Sequence, residues 1–353
     1  MKKRDISVDL IKVVACIMVV MGHCTYAGTF PEEAAGLHQL FMYLFPLCNG
    51  MFFMMSGFYL FESRDLLGLW KRTLKGVVLP GVLMLFFWHY FYEFIVNGVP
   101  FSESGVFNLQ DTISFVCNVI LLKETSVYWY LSAYIWVILV WPLLCPLVDF
   151  LAKGPKREAW FLGISLGLFA LNDLLGNRLF HFGFSGGGVL FPACVFVLWG
   201  HLLHKYRPRI MGRGAMGLAA AAFLFFMAIR FPMEAYYITR GPEAYLANWH
   251  NLPGLIDALC LCILGLNLLQ RGEHPVLSRV LPFLSGYTFY IYLIHPFLIR
   301  VAAAHRFFPF FYEKFYLPGQ GILYGIFYII TGCAVFYLPS LVLSIPLKKI
   351  LSR

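Results

Sequence analysis

The chain has 353 residues, 60% of them hydrophobic and only 13% charged, with a mean hydropathy of +0.74, whereas an ordinary soluble domain is about 25% charged. Too little of the sequence is polar to coat a soluble core, which excludes a cytosolic globular enzyme, a disordered chain and a secreted disulfide scaffold. The net charge of +9 would suggest nucleic acid in a soluble protein, but in an apolar chain it points first to basic residues gathered in loops on one side of a membrane.

A spanning helix needs about 20 mostly apolar residues to cross roughly 30 Å of hydrocarbon. Ten segments meet that length, at 6–26, 36–61, 77–97, 128–150, 159–176, 189–204, 215–231, 252–270, 281–300 and 321–346. They must be helices, because lipid offers no partner to an unpaired backbone group and no alternating ten-residue barrel pattern is visible. The expected fold is all-α: a polytopic integral membrane helical bundle of about ten transmembrane helices, forming one domain over 1–353.

The first segment opens with Met1-Lys2-Lys3-Arg4 and then turns apolar, as a signal peptide does. It is too long for one and no small-x-small cleavage site follows, so it reads as a retained helix. Inside it lie Asp9, Lys12 and His23. Ionisable groups in lipid are costly, and therefore candidates for function. Eleven residues separate Lys12 from His23, about three helical turns, so both project from nearly the same face, about 16 Å apart. Asp9 is one turn from Lys12 and placed to pair with it. Lys12 could alternatively snorkel to the headgroups, with His23 in the far interface. As a catalyst, His23 would accept a proton from an alcohol near neutral pH.

The second segment contains Ser56-Gly57, a small pair suited to close helix contact. A basic loop follows, with Lys71, Arg72 and Lys75 ahead of Leu79-Pro80. Arg72 and Lys75, one turn apart, suit phosphates at the membrane surface or simple topological anchoring. Between the third and fourth segments, 107–122 has enough apolar residues for a helix on the membrane surface. Trp129 and Tyr130 begin the fourth segment, where aromatics form either an interfacial belt or a stacking wall for a sugar or a cofactor arm. His201 and His204 end the sixth, at an interface, and the ninth carries Tyr292, His295 and Arg300. The nine cysteines form no CxxC pair and read as reduced hydrophobes; no metal site is expected. HExxH and P-loop motifs are absent from the sequence.

With ten spans both ends share one side. The loops on that side hold nineteen of the 27 Lys and Arg residues, among them Lys2 to Arg4, Lys71 to Lys75, Lys205 to Arg213 and Lys348 to Arg353. This asymmetry predicts cytoplasmic N and C termini, and it accounts for the positive charge without nucleic acid.

Five fragments in order resemble the motifs of the membrane-bound acyltransferase 3 family, bacterial integral-membrane O-acyltransferases of about ten helices. They are Lys12-x10-His23 preceded by Asp9-Leu10, Phe52-Phe53-Met54-Met55-Ser56-Gly57-Phe58, Arg72-x-x-Lys75 before Pro80, Trp129-Tyr130-Leu131, and Tyr292-Leu293-Ile294-His295. Lys stands at 12 and 75 where the family more often has Arg, which keeps the charge and loses the two-pronged donor. Ala133 and Tyr134 occupy the region where the branch with fused periplasmic domains carries a Glu, which suggests the simpler branch.

The resemblance implies acyl transfer, usually of acetyl, from cytoplasmic acyl-CoA (acetyl-CoA) to a hydroxyl of a cell-surface polysaccharide or lipid-linked sugar precursor in the bacterial inner membrane. The expected catalytic set is His23 as general base with Lys12 and Asp9. Arg72, Lys75, Lys71 and Trp129 are expected at the donor, and Ser56, Tyr130, Tyr292 and His295 at the substrates. The competing reading is a transporter or flippase for a lipid-linked sugar or small solute, using the same charges as a relay.

Overall fold

The computed structural model describes residues 4–95, 98, 109–120, 128–177, 179–181, 187–238, 249–269 and 274–351, and among them it is entirely helical and without strands. Its helices are α1 (Ile6–Ala27), α2 (Ala35–Leu44), α3 (Leu47–Leu60), α4 (Leu66–Thr73), α5 (Leu79–Ile95), α6 (Leu109–Ile120), α7 (Trp129–Ala152), α8 (Pro155–Leu174), α9 (Gly187–Ile210), α10 (Arg213–Ile238), α11 (Leu252–Leu268), α12 (Leu277–Ser285), α13 (Thr288–Ala304), α14 (Phe307–Phe315) and α15 (Gly321–Leu351).

Six of these units are long and apolar enough to cross a membrane singly: Ile6–Ala27, Glu32–Leu60, Trp129–Ala152, Gly188–Ile210, Arg213–Met233 and Gly321–Leu351. The pair α12 and α13, bent by 60°, makes a seventh if taken as one span. The other three expected spans are helical as well, in α5, α8 and α11, but shorter or more polar; α11 has 17 residues. Residues 96–97 of the expected third span lie outside the described residues. The expected surface segment at 107–122 is helical where described, as α6.

Local chemistry sets the boundaries. Asp5 caps α1 by accepting from Ser7 N at 3.1 Å, Asp65 caps α4 through Gly68 N at 2.8 Å, and Asn251 caps α11 through Gly254 N at 2.7 Å. Pro46 divides the second segment into α2 and α3. Leu74–Val78 winds as a π-helix just before Pro80, whose missing N–H leaves a carbonyl to be accommodated. That widened turn carries Lys75 and Gly76.

The tightest contact in the bundle is between α3 and α9, and two glycines permit it. A Cβ on Gly57 would collide with the Val197 carbonyl, and one on Gly200 with that of Met54. Ser56, about 100° around α3 from Gly57, faces away from that contact, its Oγ donating to Phe52 O at 2.8 Å.

The basic loops assembled on one side by charge meet at one end of the bundle. Arg4 donates to Pro282 O at 2.9 Å, Lys348 to Gly286 O at 2.8 Å and Asn267 to Ile210 O at 3.0 Å. Arg207 pairs with Asp5, Arg64 with Asp149 and Lys205 with Glu158. At the opposite end Tyr316 donates to Glu33 at 2.8 Å, Tyr328 to Cys24 O at 2.7 Å and Leu252 N to Asp173 at 2.7 Å. Near that end α10 and α11 are joined by a fully buried ion pair, Arg230 to Asp257 at 2.9 Å. Neither residue stood out in the sequence as half of a pair.

Candidate active site

Alpha-1 forms the spine of the site. Its neighbours α3, α11, α12, α13 and α15 surround it, so that side chains along one face of α1 open into the middle of the bundle. Three cavities lie end to end there.

The first, at the end opposite the basic loops, has a volume of about 380 Å³ and is lined by His23, Asn49, Trp129, Tyr130, Tyr292 and Arg300 among others. A second of about 320 Å³ adjoins it and is lined by Lys12, Ser56, Tyr134 and Thr288. Val19, Asn49, Tyr130 and Tyr292 belong to both walls. A third of about 420 Å³ opens at the basic end between Lys71, Arg72, Lys75 and the last turn of α15. It meets the second at Gly76 and Tyr290. The widened π-turn thus sits where a basic mouth passes into the bundle.

Most of the residues singled out in the sequence are brought together by this arrangement. Lys12 and His23 do share a face of α1, and they open into successive cavities. Lys12 makes no hydrogen bond or contact ion pair among the described residues. Ser56 faces the Lys12 cavity, while Tyr130 and Tyr292 stand at the junction with ring centroids 5.9 Å apart. Lys71, Arg72 and Lys75 share the basic mouth.

Three residues sit otherwise than expected. The expected pairing of Asp9 with Lys12 is not formed: both carboxylate oxygens of Asp9 are taken by Arg4, at 2.7 and 2.9 Å. Arg4, just before the helix, reaches back over the first turn and supplies the two-pronged fit that a lysine lacks. The bond to Asp9 also holds the Arg4 guanidinium firmly in its charged form. Trp129, expected at the donor, lines the His23 cavity, stacked on Trp249 at 5.8 Å with 18° between planes. Trp249 is fully buried and stacks in turn on Phe53 at 5.3 Å, so the wall is rigidly backed. His295 is fully buried and lines none of the three cavities; its ring lies 5.1 Å from that of His23.

In the sequence Asn49, a single Asn between Cys48 and Gly50, carries no motif. The fold puts its side chain, which has no hydrogen-bond partner among the described residues, at the junction of the two inner cavities. Among the described residues no cluster of three or more His, Cys, Asp or Glu is placed to hold a metal ion, and the nine cysteines are free thiols.

The arrangement offers a cationic entrance, a mostly apolar middle cavity bearing Lys12, Asn49 and Ser56, and an imidazole at the far end. It suits a slender chain whose anionic head stays outside. A comparison with protein families matches residues 5–343 to one described as an acyltransferase domain, acyltransferase 3. No curated protein and no solved structure matches.

Proposed function

Because the chain belongs to the acyltransferase 3 family of membrane acyltransferases, we propose that it transfers an acyl group, acetyl in the simplest case, from cytoplasmic acyl-CoA to a hydroxyl of a cell-surface polysaccharide or its lipid-linked sugar precursor. The observation that carries this reading is the succession of three adjoining cavities, which share Gly76 and Tyr290 and then Asn49, Tyr130 and Tyr292 in their walls. The polyanionic head of CoA is too strongly hydrated to enter a bundle, and it finds Lys71, Arg72 and Lys75 at the mouth. Its slim pantetheine arm runs past Lys12 and Ser56 and delivers the thioester to the junction.

The acceptor enters the His23 cavity from the opposite end, against the Trp129 wall. His23 takes the proton of the acceptor hydroxyl as the oxygen attacks the thioester carbonyl. The carbon–sulfur bond then breaks, the acyl group stays on the acceptor oxygen, and the thiolate of CoA recovers the proton from His23. Between those events the carbonyl oxygen carries negative charge. The Asn49 amide, which lines both cavities and has no side-chain hydrogen bond among the described residues, is the donor that would receive it. With its basic loops in the cytoplasm, the protein is a multi-pass component of the bacterial inner membrane, both described termini facing CoA.

Binding of the donor tests the reading against the transporter alternative, which has no use for it. Acetyl-CoA and CoA should both raise the thermal midpoint of the detergent-purified protein in a concentration-dependent way, and no shift with either would contradict the donor assignment. Mass spectrometry of envelope glycans with and without the protein then identifies the acceptor.

A further inference from the structure

His295 sits beside His23 and lines none of the three cavities described among these residues. Its Nδ1 is 2.9 Å from the carbonyl oxygen of Ile291, one turn back on α13. A carbonyl only accepts, so Nδ1 carries the hydrogen. In neutral imidazole the other nitrogen must then present a lone pair. That nitrogen, Nε2, is buried and has no hydrogen-bond partner among the described residues. A buried acceptor left unsatisfied is costly and calls for an explanation.

The ring beside it belongs to His23, with centroids 5.1 Å apart and planes tilted by 54°. At that separation a turn of the more accessible His23 ring brings one of its N–H groups onto Nε2. His295 itself is held: Pro296 follows it in α13, and the Ile291 bond fixes its ring.

We propose that His295 is the positioning partner of His23, accepting a hydrogen bond from one ring nitrogen so that the other presents its lone pair to the acceptor hydroxyl. This rests on the reading of His23 as the general base. The consequence is chemical and not merely steric. A base must hold its lone pair on the nitrogen that faces the substrate, and a second group that accepts from the far nitrogen selects that tautomer. When His23 takes up the acceptor proton, both of its nitrogens become donors, and Nε2 of His295 shares the new charge. The arrangement is that of a buried carboxylate behind a catalytic histidine, with a neutral acceptor that costs less to bury in a membrane.

The test compares His295→Leu, which cannot accept a hydrogen bond, with His295→Gln, whose amide oxygen can. Labelled acetyl transfer is measured in detergent with acetyl-CoA varied, and the thermal shift with CoA reports folding. The leucine variant should lose on the order of 10²-fold in kcat or more with KM for acetyl-CoA unchanged, and the glutamine variant should recover at least a tenfold part of that loss. If leucine does not fold, His295→Met replaces it under the same criteria. A leucine variant within threefold of wild type would overturn the proposal, as would equal losses in leucine and glutamine. Wild-type protein without any transfer would overturn this proposal together with the function it rests on, whereas an active wild type with an active leucine variant removes the positioning role alone.

Discussion

Arg4 grips Asp9 through both carboxylate oxygens, at 2.7 and 2.9 Å, and thereby leaves Lys12, one turn further along α1, lining the second cavity with no contact ion pair among the described residues. The two charges that the sequence places side by side are thus separated, one held at the helix start and the other lining the second cavity, the proposed path of the donor. Asp9→Asn should lower the thermal midpoint and cost about 1 kcal/mol, a modest figure because Arg4 is 56% exposed. Lys12→Met should leave the midpoint unchanged or raise it, since a half-buried cation without a contact ion pair is removed, while acetyl transfer falls at least tenfold. Equal effects of both substitutions on stability and on transfer would put the two residues back into one pair.

The basic mouth makes a different demand. Arg72→Ala and Lys75→Ala should each weaken acetyl-CoA binding by roughly tenfold, with kcat little affected, because the phosphates are held far from the reacting carbonyl. Added salt should weaken wild-type binding more than that of the variants. Unchanged affinity would leave these side chains as topological anchors.

Asn49 offers the sharpest kinetic signature. If its amide receives the developing negative charge, Asn49→Ala should lower kcat by about 10²- to 10³-fold and leave KM for acetyl-CoA as it was. A rise in KM with intact kcat would make it a binding residue only.

The packing of α3 on α9 can be tested apart from chemistry. Gly57→Ala or Gly200→Ala places a methyl group against a backbone carbonyl, which cannot move aside as a flexible side chain would. Each should destabilise by about 1–3 kcal/mol, read as a lower thermal midpoint. Gly163→Ala on α8, where a Cβ meets nothing within 4 Å, should be tolerated. A midpoint for Gly57→Ala equal to that of Gly163→Ala would contradict the close approach.

At the basic end Glu158 links α8 to α9 by accepting from Lys205 and Tyr206. Burial pushes its pKa up, but those two hydrogen bonds and the Lys205 charge outweigh burial and hold it below the usual carboxylate range. With the folded pKa below the unfolded one, the contribution to stability is complete above the unfolded value and is lost as pH falls through the folded one. The thermal midpoint of Glu158→Gln should therefore vary less with pH in the acid range than that of wild type; parallel curves would remove the assignment.

The apolar runs made the helices legible, because lipid permits little else, and the basic loops marked which ends belong together. The break at Pro46 and the 60° bend before Thr288 lie inside runs that read as single spans; hydropathy measures length and not direction. For the site, Lys12, His23, Ser56, Tyr130, Tyr292 and the basic trio were readable because each is polar or aromatic within a recurring local motif. Asn49 was not, since its importance comes from lying where two cavities meet. Arg230 and Asp257 were not, because only the packing of α10 on α11 brings them together. The tautomer of His295 likewise depends on a carbonyl of its own helix and on the depth at which that helix is buried.

The claim on which the rest depends is that His23, at the far end of a passage open to CoA, drives acyl transfer. The most direct measurement is single-turnover transfer of labelled acetyl from acetyl-CoA to envelope glycan acceptor by purified wild type and His23→Ala, with CoA-dependent thermal shifts recorded on both. The account predicts the same donor-induced shift in both proteins and a loss of transfer of about 10²- to 10⁴-fold in His23→Ala. Near-wild-type transfer by a His23→Ala protein that still binds CoA would contradict it.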